Sequence, residues 1–224
     1  MDAFAAEPPG RPEVRLCAAA AKLLGAAGVG LSLGASDDLL DSGLHTVCVT
    51  DGGRSGESRQ FDLGEGPSYT AHRTGGQVRV ADLELDDTWP AFTAAAVLLG
   101  FHAVFAFPLL SGSVTIGALT IYRNDAGDLT AEQQAVALLI AAFALNLLVS
   151  LQGGSRLDEL GQVFTDTLSN SVEALQASGV VSVQLGISVG AALAVMRAHA
   201  FTEMCSLAEV ATQVIERGLK LGPL

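Results

Sequence analysis

The chain has 224 residues, of which 50% are hydrophobic and 16% are charged, and its formal net charge is −12. This apolar composition excludes a disordered chain, and the length accommodates two modest domains, each with its own core. The negative charge argues against loose, nonspecific binding to DNA or to acidic membranes, because affinity for polyanions comes mainly from Lys and Arg.

The three cysteines, Cys17, Cys48 and Cys205, are far apart in the sequence and form no C-x-x-C pair. Their odd number and spacing predict neither a disulfide framework nor a zinc site, so we expect small buried side chains in a reducing cytosol. Residues 1–12 lack the basic start and apolar run of a signal peptide. The apolar stretch 135–149 is shorter than the roughly 20 residues of a membrane span, so we expect a buried helix in a cytoplasmic protein.

Periodic patterns alternate between helix and strand over the first 150 residues. Pro12 is well placed to begin a helix that ends near Ala27, and a second helix is predicted over 89–99. A Thr130–Gln133 capping box begins the apolar helix. The polar segment 54–60 is predicted to be a loop. Strands are predicted at 29–33, 45–50, 78–83, 103–110 and 114–122, the last two as a hairpin.

From Ser155 onward every periodic segment is predicted to be helical. Apolar residues recur every three or four positions from Leu157 to Leu175, a spacing suited to helix pairing. Ser188 is a candidate cap for a second helix, and the Ser206–Glu209 capping box begins a third. The sequence therefore predicts an α+β domain around an antiparallel sheet, followed after Gly153-Gly154 by an all-α module.

The first half resembles the GAF sensor domains of actinobacterial regulators. The resemblance lies in F-D-L-G-E-G-P within Phe61 to Leu83, in W-P-A-F at Trp89 to Phe92, and in F-P-L and G-A-L-T-I-Y within Val104 to Gln134. It implies a GAF-like antiparallel sheet flanked by helices over residues 11–152. Ser68 stands where many relatives have Cys, so no thiol chemistry is expected there.

The second half, residues 155–221, is similar to a helical linker followed by the ANTAR module. It contains a Q-A-x-G element at Gln176 to Gly179, an A-L-x-x-x-R-x-x-A helix at Ala192 to Ala200, and L-x-x-V-A at Leu207 to Ala211. The resemblance implies a three-helix module that binds RNA hairpins as a dimer and prevents premature transcription termination. Residues 155–224 nevertheless contain four basic and seven acidic residues, a net charge of −3.

Several candidate sites follow from the sequence. Trp89, Phe92, His102 and Phe105 would line a ligand pocket of the GAF domain or simply pack its core. The stretch 63–68 is rich in glycine but lacks the Lys-Ser/Thr of a phosphate loop, so it is predicted to form a turn before a helix at Pro67.

In the second half, polar side chains are candidates for reading bases in an open RNA loop and basic ones for contacting phosphates; the alternative is a solvated helical face. These RNA-contact candidates are Gln176, Ser178, Ser182, Gln184, Arg197 and His199. No pattern indicates a cofactor, and the four isolated histidines predict no metal site. No catalytic motif is present, so we expect no enzyme activity.

Two functions remain open at this point. The first is a signal-responsive antiterminator that binds RNA hairpins as a homodimer, with a GAF domain that senses a small molecule or mediates dimerisation. The second is a protein-interaction regulator whose ANTAR module has lost RNA binding, which the acidic second half favours.

Overall fold

The computed structural model describes residues 11–34, 44–153 and 169–222. Five strands within these residues form one sheet in the order β2-β1-β5-β4-β3, and every neighbouring pair is antiparallel. The strands are β1 (Gly28–Gly34), β2 (Leu44–Val49), β3 (Val78–Val80), β4 (Ala103–Ser111) and β5 (Val114–Arg123). The described helices are α1 (Pro12–Leu24), α2 (Arg54–Leu63), α3 (Pro67–Thr74), α4 (Pro90–Leu98), α5 (Ala131–Gly153), α6 (Ser169–Leu185), α7 (Val189–Thr202) and α8 (Leu207–Arg217). The predicted antiparallel sheet flanked by helices is confirmed.

One face of the sheet packs against α1 and α5. Because side chains alternate along a strand, β4 and β5 place Phe105, Phe107, Leu119 and Ile121 on this face, where all are fully buried. Burying each such side chain stabilises the fold by roughly 1.5–3 kcal/mol. Cys17 and Cys48 belong to the same core, as the sequence predicted, whereas Cys205 is only half-buried.

The other face of the sheet is lined by small and polar residues. Along β1 the positions that point to this face are Gly28, Gly30, Ser32 and Gly34. Their small size lets α2 and α3 approach closely. Beside them, Tyr122 belongs to a second apolar cluster with Trp89 and Phe92 under α4.

Three local predictions differ from the structure. The segment predicted as a loop at 54–60 is helix α2, which ends at Gly64 in the left-handed conformation (φ 67°). Its sequence shows no apolar helical periodicity because two of its inward residues, Glu57 and Gln60, are polar. Helix α1 ends at Leu24, capped by Gly25, rather than near Ala27, and β3 ends at Val80 rather than at residue 83.

Helix α5 begins as predicted, with reciprocal hydrogen bonds between Thr130 and Gln133. Among the described residues, its stretch Ala131–Ser150 has the length and apolar composition of a membrane span. Its inner residues Ala137, Ala141 and Ala144 pack on the sheet, which attaches the helix to the domain core. Only 28% of that stretch is buried, so most of the helix surface lies outside this core.

The C-terminal helical module consists of α6, α7 and α8. The predicted caps are present: Ser188 Oγ accepts from the Ala191 amide (3.2 Å), and Ser206 and Glu209 form a capping box. A shared core holds the three helices together and includes Ala177, Ala192, Leu193, Ala200, Leu207 and Ala211. Of the predicted pairing residues between Leu157 and Leu175, those up to Leu168 lie outside the described part of the chain.

Candidate functional site

A buried carboxyl group, that of Glu57 on α2, lies against the polar face of the sheet. Its side chain is 4% exposed. Ser32 Oγ donates to Oε2 (2.6 Å) and the Tyr122 hydroxyl donates to Oε1 (2.7 Å). Burial raises the pKa of the Glu57 carboxyl, while the hydrogen bonds from Ser32 and Tyr122 oppose that rise. The site therefore favours the neutral acid more than water does.

Gln60, one turn further along α2, extends this polar network to α3. Its Nε2 donates to the Tyr122 hydroxyl (2.6 Å), and its Oε1 accepts from the Ser68 amide (2.8 Å). Ser68 lies in the first turn of α3 and is 1% exposed, yet its hydroxyl has no hydrogen-bond partner among the described residues. The network thus joins β1, α2, β5 and α3 and includes one buried hydroxyl that is unsatisfied.

Glycines make this close packing sterically feasible. A Cβ at Gly30 would overlap the Glu57 side chain, and a Cβ at Gly56 would overlap the Tyr122 ring. At the edge of the same face, Gly34 leaves room for the His72 ring, and burial lowers the pKa of that imidazole. Among residues 11–34, 44–153 and 169–222, no group of three His, Cys, Asp or Glu side chains could hold a metal ion.

The C-terminal end of α2 contacts α7 through Arg197. The Arg197 guanidinium donates from Nε (3.1 Å) and Nη2 (2.8 Å) to the carbonyl oxygen of Phe61, and it lies 5.5 Å from the centre of the Phe61 ring. Phe61 itself packs in the core of the helical module. The contact therefore joins the sheet domain to that module.

Titratable side chains surround the Arg197 guanidinium. Burial raises the pKa of the Asp62 carboxyl, and the Arg59 and Arg197 charges oppose that rise. Burial lowers the pKa of the His45 imidazole, and the Arg197 charge lowers it further. Burial raises the pKa of the Tyr69 phenol, which the Arg197 charge opposes. These three groups of the sheet domain are therefore close enough to Arg197 for its charge to act on their pKa values.

The structure separates the four residues predicted to line a ligand pocket. Trp89 and Phe92 pack under α4 beside Tyr122, on the face that contains Glu57. Phe105 lies on the opposite face, against α1 and α5, because strand alternation turns it away. His102 is partly exposed, with Nδ1 3.4 Å from Glu84 Oε1. Trp89, Phe92 and Phe105 thus pack in core clusters on two faces of the sheet, which agrees with the alternative that they pack the core, and a role of the four residues in ligand binding stays a prediction.

The six RNA-contact candidates also differ in accessibility. Gln176 and Gln184 are exposed on α6, and His199 is half-buried on α7. Ser178 is fully buried, with Oγ donating to the Leu175 carbonyl (2.7 Å), so it is not available to RNA in this structure. Ser182 Oγ donates to the Ile187 carbonyl (2.6 Å), and Arg197 is engaged with Phe61. Two of the six, Gln176 and Gln184, are thus exposed.

Basic side chains lie beside one of these exposed glutamines. The Gln184 amide is 3.5 Å from the carbonyl oxygen of Leu219, which precedes the exposed Lys220. Exposed Arg217 ends α8 two residues before Leu219. The end of α6 therefore contacts the segment that follows α8. We call Gln184, Arg217 and Lys220, which are all exposed around this contact, the Gln184 surface; the acidic Glu216 beside Arg217 is exposed as well.

Two residues of this site, Glu57 and Gln60, were missed from the sequence because their segment was predicted to be a loop. A signal for them was present in β1, where every second residue from Gly28 to Gly34 is glycine or serine. Such a row of small residues indicates that another element packs closely against that face.

Comparison with known proteins agrees with this fold. Residues 14–148 match the family model of the GAF domain. A domain of a two-component sensor histidine kinase from Sinorhizobium meliloti 1021 superposes with a TM-score of 0.52 at 16% identity, covering 65% of this chain and 95% of that one. The GAF domain of the cyanobacteriochrome TePixJ gives a TM-score of 0.50 at 16% identity, covering 67% and 99%. At such identities the likeness shows the fold alone. No curated protein matches the chain significantly.

Proposed function

Because the chain belongs to the GAF domain family over residues 14–148, we propose that it is a signal-responsive regulator in which this domain controls an RNA-binding, ANTAR-type helical module. GAF domains are small-molecule sensing or dimerisation domains. The proposed output is binding of RNA hairpins that overlap transcription terminators, and so antitermination in the cytoplasm.

The observation that carries this proposal is the contact between Arg197 and Phe61. In the ANTAR-like pattern, Ala192, Leu193 and Ala200 are core residues of the helical module, whereas Arg197 reaches out to α2. Phe61 follows Glu57 by four residues, which is one turn of the same helix. A change at the buried carboxyl would therefore reach the module through a single helical turn.

The face that contains Glu57 is the proposed place of signal input. It combines a buried carboxyl with a raised pKa, the phenol of Tyr122 and the unsatisfied hydroxyl of Ser68. Perturbed titratable groups on a tightly packed polar face are typical of functional sites. A small molecule that hydrogen-bonds to this network would displace α2 or α3 relative to the sheet.

For the output, the Gln184 surface and Gln176 are the proposed RNA-contacting groups, together with Arg197 once it leaves Phe61. Glutamine amides can pair with base edges in an unpaired loop, and Arg217 and Lys220 can neutralise phosphates. With so few cations, we expect weak binding at physiological salt and stronger binding when salt is low.

Self-association is proposed through the outer face of α5. Leu139 and Phe143 are 71% and 61% exposed, and with Asn146 and Ser150 they follow a three-four spacing suited to helix pairing. The helix has no basic residue, and its acidic residue is Glu132 in the first turn. Asn146 Nδ2 and Ser150 Oγ donate to carbonyls of their own helix (2.9 and 2.7 Å), so apolar contact leaves these two donors satisfied. We propose that a second copy covers this face.

A second candidate function is a protein-interaction regulator without RNA binding. Val183, Phe201 and Met204 of the helical module are 85%, 74% and 94% exposed, although all are apolar. Residues 155–224 have a net charge of −3, and Ser178 and Arg197 are engaged inside the chain. These features favour a protein partner over a polyanion.

Binding of the full chain to an RNA with paired short hairpins tests the proposal, with a scrambled RNA as control. Hairpin-selective binding that weakens as salt rises supports the proposed RNA-binding regulator. Equal affinity for both RNAs, or no binding even at low salt, favours the protein-interaction function.

A further inference from the structure

We propose that Arg197 is an inhibitory latch: while its guanidinium is docked on the last turn of α2, it is withheld from RNA. The RNA part of this statement rests on the proposed function above, whereas the docking itself does not. Docking occupies Nε and Nη2, the edge with which a guanidinium forms a bidentate pair, so a docked Arg197 cannot offer this edge to a phosphate.

The receptor for Arg197 is the C-terminal end of a helix. The last carbonyls of a helix lack the usual partner four residues on and lie at the negative end of its dipole, so a cation is stabilised there. The Phe61 carbonyl also accepts from the Gly64 amide (3.2 Å), and its second lone pair remains available for Arg197. The Phe61 carbonyl accepts from Nε and Nη2 of Arg197 at 3.1 and 2.8 Å. The Phe61 ring adds a cation–π contact at 5.5 Å. One residue thus provides both the acceptor and the aromatic face.

The neighbouring residue Gly64 completes the receptor. It ends α2 in the left-handed conformation, and a Cβ there would lie 2.8 Å from Nη1 and 2.9 Å from Cζ of Arg197. Glycine at this position is therefore required twice, once for its backbone angles and once for the approach of the guanidinium. Asp62, next to Phe61, adds a carboxyl group whose pKa is raised by burial, a rise that the Arg59 and Arg197 charges oppose.

The docked state leaves the helical module with few cations for RNA. Its other described Lys and Arg residues are Arg217, at the end of α8, and Lys220, which follows that helix; both are exposed. Undocking would add a third charge, on α7. Because α2 also contains Glu57, a ligand that moves this helix would release Arg197 and raise RNA affinity.

Adding one methyl group at Gly64 tests the latch, and Gly25 offers a matched control. Gly64→Ala places a Cβ against Arg197, whereas Gly25→Ala introduces the same left-handed strain at the end of α1 with nothing within 4 Å of the new Cβ. Spin labels at the exposed positions Ser58 on α2 and Ala194 on α7, in a Cys205→Ser background, report the separation of the two helices.

The latch predicts that Gly64→Ala and Arg197→Ala lengthen the label distance in the full chain, while Gly25→Ala does not. Hairpin affinity should rise in Gly64→Ala, by about tenfold if one tenth of the wild-type protein is undocked. The rise should vanish in the Gly64→Ala, Arg197→Ala double variant, because the freed guanidinium is then missing.

An unchanged label distance in Gly64→Ala and Arg197→Ala would overturn the latch, whatever the RNA result. The same distance change in Gly25→Ala would also overturn it, because strain alone would then explain the opening. A longer distance without any gain in affinity would refute the inhibitory role of Arg197. Absence of hairpin binding in every variant would refute the proposed RNA function, and the labels would still decide the docking.

Discussion

The Tyr122 hydroxyl donates a 2.7 Å hydrogen bond to the buried carboxyl of Glu57, which lies 65 residues earlier in the chain. This bond ties the strand β5 to the helix α2, and Gln60 binds the same hydroxyl from one turn further along α2. Polar contacts therefore help to set the position of α2 on the sheet.

Replacing Tyr122 by Phe should destabilise the protein by about 1–3 kcal/mol, because buried groups of Glu57 and Gln60 each lose a hydrogen-bond partner. The ring contact with Phe101, at 4.8 Å between centroids, is retained in this variant. Urea unfolding followed by circular dichroism measures the change. A variant as stable as the wild type would show that the network contributes nothing to the fold.

Replacing Glu57 by Gln should change how stability depends on pH. Burial raises the pKa of the Glu57 carboxyl above its ordinary value of 4.5 in the folded state. Its contribution is therefore fully present below pH 4.5 and is lost as pH rises through the folded pKa. The stability of Glu57→Gln relative to the wild type should increase from pH 4.5 upward. Unfolding midpoints of both proteins across pH 4.5–8 test this, and parallel curves would contradict it.

Replacing Gly30 by Ala should destabilise the domain by roughly 1–3 kcal/mol, because the new methyl group overlaps Glu57 on a tightly packed face. Gly179→Ala is the matched control, because Gly179 lies in α6 and a Cβ added there has no atom within 4 Å. Alanine is favoured in a helix, so this control should gain up to about 1 kcal/mol. Thermal unfolding of both variants measures the contrast, and equal effects would argue against close packing at Gly30.

Replacing Phe143 by Lys should dissociate the proposed dimer, because a charge would be placed in the apolar outer face of α5. Leu98→Lys is the control, since Leu98 is 88% exposed on α4, away from α5. Sedimentation analysis across protein concentration gives the oligomeric state. If the wild type is already monomeric at high concentration, or if both variants stay dimeric, the α5 interface is refuted.

Removing Arg217 and Lys220 should weaken hairpin binding and make it less sensitive to salt. Each phosphate contact that is lost lowers the slope of log affinity against log salt by about 0.7 for a single strand, and by about 0.9 if the paired stem behaves like B-form DNA. Titrations at several salt concentrations for Arg217→Ala, Lys220→Ala and the wild type give these slopes. Unchanged slopes would exclude the Gln184 surface from RNA contact.

Much of the fold could be predicted from local sequence rules. Strand alternation in the hairpin at 103–123 and the caps at Thr130, Ser188 and Ser206 depend on neighbouring residues, and the structure has each of them. Their physics is local, so a short window of sequence is sufficient to predict them.

The candidate site could not be predicted in the same way. Helix α2 turns Glu57 and Gln60 inward, so its polarity pattern is that of an exposed loop. Its partners Ser32 and Tyr122 lie 25 and 65 residues away. Arg197 was predicted to contact phosphates because it is basic, but its partner in the structure is a backbone carbonyl, which has no sequence signature.

The measurement that tests the central claim most directly is a fluorescence anisotropy titration of a paired-hairpin RNA with the full chain, at low and near-physiological salt, against a scrambled RNA. We predict that the wild type binds the hairpin RNA selectively and that Gly64→Ala binds it more tightly. Equal or undetectable binding of both RNAs, by the wild type and by Gly64→Ala at low salt, would contradict the claim that the helical module is an RNA-binding output.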